Sequence, residues 1–148
     1  MEEIIIKSGK DNMDVKAIHQ FLSEESYWAK GISFGRVDKS LDHSFCVGAF
    51  VNDQQVGFAR LITDYCTFGY LADVYVLPAH RGQGISKKIL SFIMNQEWNK
   101  RLRRQMLSTS DGHGLYRQFG YKELGNPANM MEVHRPGVYL NYTDEVNN

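Results

Sequence analysis

Apolar and polar residues alternate with a period of two along three neighbouring stretches, and each stretch is predicted to be a β-strand. The run SFCVGAFVNDQQVGFARLI contains two of these strands around the polar turn NDQQ, and FGYLADVYVLP contains the third. An ideal strand in FGYLADVYVLP would place one set of side chains on each face of a sheet. The two sets are Tyr70, Ala72, Val74 and Val76 on one face, and Leu71, Asp73, Tyr75 and Leu77 on the other.

Four other stretches are predicted to be helices. The first follows Asp14, whose carboxylate can cap a helix with a single apolar face, and the second is FGRVDKSLDHS. The third carries an apolar stripe from Ile85 to about Gln96, and the fourth is the short segment GHGLYRQFG. The remaining strands are predicted at EEIIIKS, RRQMLSTS, YKEL and NMMEVHR.

The predicted order of elements is β-α-α-β-β-β-α-β-α-β-β, which indicates an α/β or α+β fold. A length of 148 residues suits one domain with one core, so residues 1–148 are expected to form a single unit. The tail NYTDEVNN, from about residue 141, is predicted to be frayed.

Charge and composition disfavour several classes of function. The 17 basic and 17 acidic side chains cancel, so no nucleic-acid partner is expected. Cys46 and Cys66 lack the spacing of metal ligands, so no metal is expected. The N-terminus MEEIIIKSGKD is acidic, and no segment reaches about 18 consecutive apolar residues. These features predict a cytoplasmic protein that does not interact with a membrane.

The stretch VLPAHRGQGISKKIL passes from a strand to a helix through a glycine-rich turn, RGQG, which we call the elbow (residues 81–84). Such a turn gathers free backbone N–H groups at the positive end of the helix dipole, which suits a phosphate or pyrophosphate. Gly82 and Gly84 allow a close approach of the main chain, while Arg81 adds a charged donor and Ser86 a hydroxyl.

The elbow matches neither of two common phosphate-binding motifs. A Walker loop requires a glycine–lysine pair that is missing here, and a dinucleotide fingerprint requires a third glycine where Lys87 stands. These mismatches disfavour a generic nucleotide-binding protein. Taken alone, RGQG is equally compatible with a simple connection between strand and helix.

A second segment, GLYRQFGY, follows the elbow by about 30 residues. Together with VYVLPAHRGQGIS it resembles the two signature segments of the GNAT superfamily of acyl-CoA-dependent N-acetyltransferases. Arg81 and Gly84 match the family's [RQ]-x-x-G-x-[GA] loop, with Ser86 in place of its small final residue. The family segment LY-x-x-x-GF is matched at Leu115, Tyr116, Gly120 and Tyr121, whereas the preceding family asparagine is Thr109 here.

The resemblance covers Glu3 to about His134 and implies a mixed, mostly antiparallel sheet of about six to seven strands, flanked by about four helices. It implies that strands four and five splay apart to admit acetyl-CoA. The pantetheine arm would lie along Val74 and Val76, where a strand N–H can stabilise the thioester oxygen. The pyrophosphate would bind the backbone amides of Gly82, Gln83, Gly84, Ile85 and Ser86.

Amide formation needs a neutral amine, a polarised thioester and a proton for the departing thiolate. By its matching position, Tyr116 is the candidate acid, because a phenol stays protonated at neutral pH. The base is open: the polyamine-acetylating branch of the family has a glutamate where this chain has Ala72. Asp73 is the candidate base if a bulge re-aims it, or else a structural carboxylate paired with an arginine. Asp64, Asp111, His113 and a chain of waters are the alternatives.

Acceptor contacts in this family come from the α1–α2 region and from the loop between strands three and four. Tyr27 and Trp28 could form an aromatic wall there, or pack against the sheet. Asp64, with Asp73, would suit a cationic amine. The leading hypothesis is therefore transfer of an acetyl group from acetyl-CoA to a primary amine of a small molecule, by direct attack in a ternary complex.

Two other functions remain open. One is acetylation of a peptide or protein, which would need an open groove, and the other is a non-catalytic acyl-CoA-binding module, which Ala72 favours and Tyr116 disfavours. Homodimers are common among proteins of this type, so a homodimer is expected from the family resemblance alone.

Overall fold

Five strands form a sheet in the order β1-β2-β3-β4-β5 in the structure, a computed structural model that describes residues 2–141. Strands β1 to β4 run antiparallel to their neighbours, and β5 runs parallel to β4. This mixed, mostly antiparallel sheet confirms the predicted fold class. The strands are β1 Ile5–Ser8, β2 Ser44–Val51, β3 Gln54–Thr63, β4 Phe68–Val76 and β5 Arg104–Met106.

Helices cover both faces of the sheet. The cap of the first helix is confirmed, because the Asp14 carboxylate accepts a hydrogen bond from the Ala17 N–H at 3.1 Å. That helix continues into a π-helical turn, Phe21–Glu25. The five α-helices within residues 2–141 are α1 Val15–Gln20, α2 Phe34–Asp42, α3 Ile85–Met94, α4 His113–Arg117 and α5 Val138–Asn141. The apolar side of α3 packs on one face of the sheet, and α1 and α2 pack on the other.

Two predicted strands are wrong, so the sheet is smaller than the six to seven strands expected. Within residues 2–141, neither YKEL nor NMMEVHR pairs with another strand. The apolar side chains of the second are exposed, Met131 at 95% and Val133 at 79%, so its pattern does not mark a buried face. Pro127, which has no N–H to donate, begins a 3-10 turn between the two segments. Beyond Asn141, the predicted frayed tail lies outside the described residues.

Strands β4 and β5 part after a short shared segment, as the family resemblance implies. Their pairing runs from Phe68 opposite Arg104 to Tyr70 opposite Met106. The rest of β4, residues 71–76, has no β5 partner in the part of the chain that the structure describes. An open strand edge therefore leads from the middle of the sheet toward the elbow.

A β-bulge in β4 changes which side chains face α1 and α2. Phe58 of β3 lies opposite Tyr75 of β4, and Arg60 lies opposite Ala72. The two pairs are therefore two residues apart along β3 but three residues apart along β4. The extra residue is accommodated at Asp73, whose φ is +58°, a left-handed value that Asp tolerates better than most residues. The predicted two-face alternation is wrong here, because Ala72 and Tyr75 both lie on the α1–α2 side.

Candidate active site

The elbow contains two glycines in the left-handed region of backbone space. Gly82 has a φ of +81°, and Gly84, the N-cap of α3, has a φ of +77°. Glycine adopts this conformation without strain, which explains its use here. A Cβ at either position would meet no atom within 4 Å. The glycines are therefore needed for the direction of the chain, and the space beside them is open.

The first turn of α3 presents unused backbone donors. Lys88 donates the first helical hydrogen bond, to the Gly84 carbonyl at 3.1 Å. Within residues 2–141, the N–H groups of residues 82–87 have no hydrogen-bond acceptor. Together with the helix dipole they form a surface suited to an anion. All five residues predicted to hold the pyrophosphate lie on this surface: Gly82, Gln83, Gly84, Ile85 and Ser86.

Arg81 joins the elbow to the open edge of β4. Its Nε donates to the Val76 carbonyl at 3.0 Å. The Leu77 N–H donates to the Val56 carbonyl of β3 at 2.8 Å. Because backbone groups alternate in direction along a strand, the N–H and carbonyl of Val76 point away from β3. The two predicted pantetheine contacts, Val74 and Val76, therefore lie on the open stretch of β4 next to the elbow.

Tyr116 stands on α4 and packs against the turn that precedes this helix. A Cβ on Gly112 would come within 2.9 Å of its ring, so only glycine allows this packing. Burial, followed by the charges of Asp111 and Tyr27, raises the pKa of the Tyr116 phenol above its usual value. Among residues 2–141 its hydroxyl has no hydrogen-bond partner. The phenol is therefore protonated at neutral pH and open to a ligand.

The loop between α1 and α2 bridges the two strands that splay apart. The Tyr27 hydroxyl lies 3.1 Å from Ser110 Oγ, on the chain that leads from β5 to α4. The Trp28 indole N–H donates to Asp73 Oδ1 at 2.8 Å, and the Tyr27 and Trp28 rings meet edge to face at 5.1 Å. The structure thus brings Tyr27, Trp28 and Asp73 together.

The bulge carboxylate has a partner on each oxygen. Besides accepting from Trp28, Asp73 forms an ion pair with Arg60, whose Nε lies 2.6 Å from Oδ2. Arg60 also donates from Nη1 to Ser44 Oγ at 2.9 Å. The Asp73 side chain is only 10% exposed. This arrangement matches the structural alternative considered for Asp73, a carboxylate paired with an arginine.

Asp64 lies apart from this group. Its carboxylate accepts hydrogen bonds from the N–H groups of Cys66, Thr67 and Phe68 and from the Thr67 hydroxyl, which closes the turn between β3 and β4. These donors hold the pKa of the carboxyl well below its usual range. The geometry therefore gives Asp64 a local role in the turn.

Sequence reasoning missed Arg60 and Ser110. Arg60 interrupts the apolar strand GFARLI, and a lone cation at such a position signals a buried partner. Ser110 carries no comparable signal, because its contact with Tyr27 joins distant parts of the chain. Within residues 2–141, no three His, Cys, Asp or Glu side chains are grouped so as to hold a metal ion. No helix in the same range is long and apolar enough to cross a membrane.

The fold and the site define an acyl-CoA-dependent transferase, and comparison with known proteins identifies the family. Residues 42–123 match the description "Acetyltransferase (GNAT) domain". A Gibberella zeae protein, named only as an acetyltransferase, is 34% identical over 133 residues, with 75% of each chain covered. The chain therefore belongs to the GNAT family of acetyltransferases, whose members use acetyl-CoA.

Solved structures agree with this assignment. A GNAT-family protein from Xanthomonas campestris is 43% identical and superposes with a TM-score of 0.90, covering 94% of this chain and 98% of its own. An aminoglycoside N-acetyltransferase solved with CoA has a TM-score of 0.63 at 16% identity, covering 91% of this chain and 95% of its own. At that identity the second similarity shows the fold alone.

Proposed function

We propose that this enzyme transfers the acetyl group of acetyl-CoA to a primary amine of a small molecule, by direct attack in a ternary complex. The observation that carries the proposal is the open edge of β4, with an anion-binding elbow at one end and the Trp28–Asp73 contact at the other. The elbow and the edge suit the pyrophosphate and the pantetheine of one extended molecule. Trp28 and Asp73 line a recess of about 280 Å³, a size that favours a small-molecule acceptor over a polypeptide.

In the proposed reaction, the neutral amine nitrogen attacks the thioester carbon, and the C–N bond forms as the C–S bond breaks. Tyr116 donates its hydroxyl proton to the departing thiolate and regains a proton from solvent. The amine loses its surplus proton to water. The β4 backbone near Val74 supplies the N–H that stabilises the charge on the thioester oxygen.

We propose that Asp73 is a positioning residue and not the base. Because Arg60 and Trp28 occupy its two oxygens, it holds the α1–α2 loop against the bulge and so fixes the distance between acceptor and thioester. A role as base would require the carboxylate to leave Arg60. A non-catalytic acyl-CoA-binding module stays the alternative, and the Tyr116 hydroxyl, which has no partner among residues 2–141, is the observation that disfavours it.

Thiol release from acetyl-CoA over a panel of amines, amino acids and peptides tests the proposal. Cys66 is exposed and would react with the thiol reagent, so the assay uses Cys66→Ser enzyme. Tyr116→Phe should lower kcat about 100-fold or more without changing the Kd for acetyl-CoA. The matched control is Tyr121→Phe, whose ring meets Tyr116 edge to face at 6.1 Å. Thiol release that no acceptor stimulates, with intact CoA binding, would favour the binding module.

We also propose a homodimer, because one segment of the chain is complementary to a free strand edge. Met131 and Val133 are exposed, and the outer edge of β5 has no partner within residues 2–141. Glu132, between them, has the opposite charge to Arg103 and Arg104 at that edge, so the segment of one copy can pair with β5 of a second copy. Light scattering should report a dimer that Met131→Asp dissociates and that Leu140→Asp leaves intact. A monomeric wild type would reject the proposal.

The cytoplasmic location stays a prediction.

A further inference from the structure

Two contacts hold the chain that follows α1 along the open stretch of β4. The Phe21 ring stacks on the Tyr75 ring, with centroids 3.9 Å apart and planes 7° apart. Further along the chain, the Trp28 indole N–H donates to Asp73 at 2.8 Å. Val74, near which the proposed thioester N–H lies, sits between these two β4 residues. The segment between the contacts therefore passes beside the place that an acceptor amine has to reach.

The Tyr75 phenol is a buried group that the proposed reaction does not yet use. The residue is 6% exposed, and its ring also packs against Phe58 at 6.0 Å. Within residues 2–141 its hydroxyl has no hydrogen-bond partner, whereas every fully enclosed side-chain nitrogen or oxygen in that range has one. The Tyr75 oxygen is therefore reachable by a water-sized group, and it is free to bind a polar ligand.

The charges that act on the Tyr75 phenol are all carboxylates. Burial, followed by the charges of Asp14, Asp73 and Glu25, raises the pKa of this phenol. Two of the three carboxylates are engaged, since Asp14 caps α1 and Asp73 pairs with Arg60. Glu25 is exposed, and its carboxylate has no partner within residues 2–141. Glu25 is therefore the carboxylate near Tyr75 that can receive a cation.

From this arrangement we infer that the Glu25 carboxylate and the Tyr75 oxygen bind the acceptor amine beside Val74. The inference rests on the proposed transfer to a primary amine. Each group would accept one N–H of the neutral amine, which leaves the nitrogen lone pair for the thioester carbon. A primary amine has two such N–H groups, whereas a secondary amine has one. The pair therefore selects primary amines, and the Glu25 charge favours acceptors that arrive as cations.

This inference moves the cationic acceptor expected from sequence to a different carboxylate. Asp64 bonds within its own turn and Asp73 is paired with Arg60, so neither is available for the amine. The π-helical turn Phe21–Glu25 ends at the residue that takes their place. Turns of this kind are rare and are frequently found at functional sites.

Single substitutions test the inference by thiol release in Cys66→Ser enzyme. The acceptors are benzylamine, butylamine and glucosamine, each compared with its N-methyl derivative. Glu25→Gln should raise the KM of the amine about 10-fold or more, and Tyr75→Phe about 3- to 10-fold, with the KM of acetyl-CoA unchanged. Glu25→Asp should restore part of the loss. The N-methyl derivatives should have a kcat/KM about 10-fold or more below that of the primary amines.

Glu24→Gln is the matched control. It removes the same charge one residue away, and Glu24 is not among the charges that act on the Tyr75 phenol. The KM of the amine should stay within about twofold. Glu25→Gln and Tyr75→Phe remove groups without a partner in the described chain, so both should leave the urea midpoint nearly unchanged. A general loss of stability would then not explain a higher KM.

Calorimetry separates the inference from the function on which it rests. In the presence of CoA, benzylamine, butylamine or glucosamine should bind with a Kd that Glu25→Gln raises and Glu24→Gln does not. Transfer to an amine whose KM neither Glu25→Gln nor Tyr75→Phe changes would overturn the amine site and leave the transferase standing. Binding that depends on Glu25, without transfer, would support the site and overturn the transferase. Acetyl-CoA binding with neither binding nor transfer of any amine would overturn both.

Discussion

Replacing Asp73 by asparagine should destabilise the fold by about 2–3 kcal/mol, because Arg60 would keep its charge in a nearly buried place without a counter-charge. Removing one partner of a fully buried ion pair costs about 3–5 kcal/mol. The side chains of Asp73 and Arg60 are 10% and 16% exposed, so solvent screens the remaining charge in part and the expected cost lies just below that range. Asparagine keeps the hydrogen bond from Trp28 and tolerates the left-handed backbone at this position.

Alanine at residue 73 should cost about 1–2 kcal/mol more than asparagine. It adds the strain of a Cβ residue at a φ of +58°, and it removes the acceptor for the Trp28 indole. The measurement is urea unfolding of both variants, with equal m-values required for the comparison. Arg60→Met completes a double-mutant cycle with Asp73→Asn, and a coupling of about 2 kcal/mol is expected. A coupling near zero, or a cost for Asp73→Asn within about 0.5 kcal/mol, would refute the buried ion pair.

Three shorter predictions concern other parts of the chain. Gly84→Ala should cost about 1 kcal/mol in urea and weaken CoA binding in calorimetry, whereas Gly125→Ala, with open space and no positive φ, should do neither. In the native enzyme one thiol should react quickly with a thiol reagent at pH 8, namely that of the exposed Cys66. Cys46 should react slowly, because burial raises the pKa of its thiol to about 11. Fast reaction of two thiols would contradict this. Burial raises the pKa of the Tyr121 phenol to about 12. The stability that its buried neutral form contributes is therefore complete below pH 10 and is lost as the pH rises toward 12. Tyr121→Phe should make the alkaline fall in the urea midpoint shallower, and an unchanged fall would show that Tyr121 does not cause it.

The proposed cofactor-binding half of the candidate site is predictable from sequence because its determinants are local. The elbow needs a strand, two glycines and a helix within about ten residues, and each has its own sequence signal. The bulge at Asp73 has no such signal, since it depends on how β4 fits against β3. Likewise, Arg60 finds Asp73 only through strand pairing. The strands predicted at YKEL and NMMEVHR failed for the same reason, because their short patterns carry no information about a partner.

The kinetics of Asp73→Asn can decide how the amine loses its proton. If the carboxylate were the base, asparagine would abolish the rise of kcat/KM with pH that its ionisation produces. The ion pair with Arg60 and the hydrogen bond from Trp28 occupy both carboxylate oxygens, so the proton should leave through water and the rise should follow the ionisation of the acceptor amine. Asp73→Asn should therefore lower kcat/KM by removing the counter-charge that fixes Arg60 beside the bulge, while keeping the pH dependence. An acceptor amine of lower pKa should move that rise to lower pH equally in both enzymes, and a rise that stays fixed in the wild type would return Asp73 to the role of base.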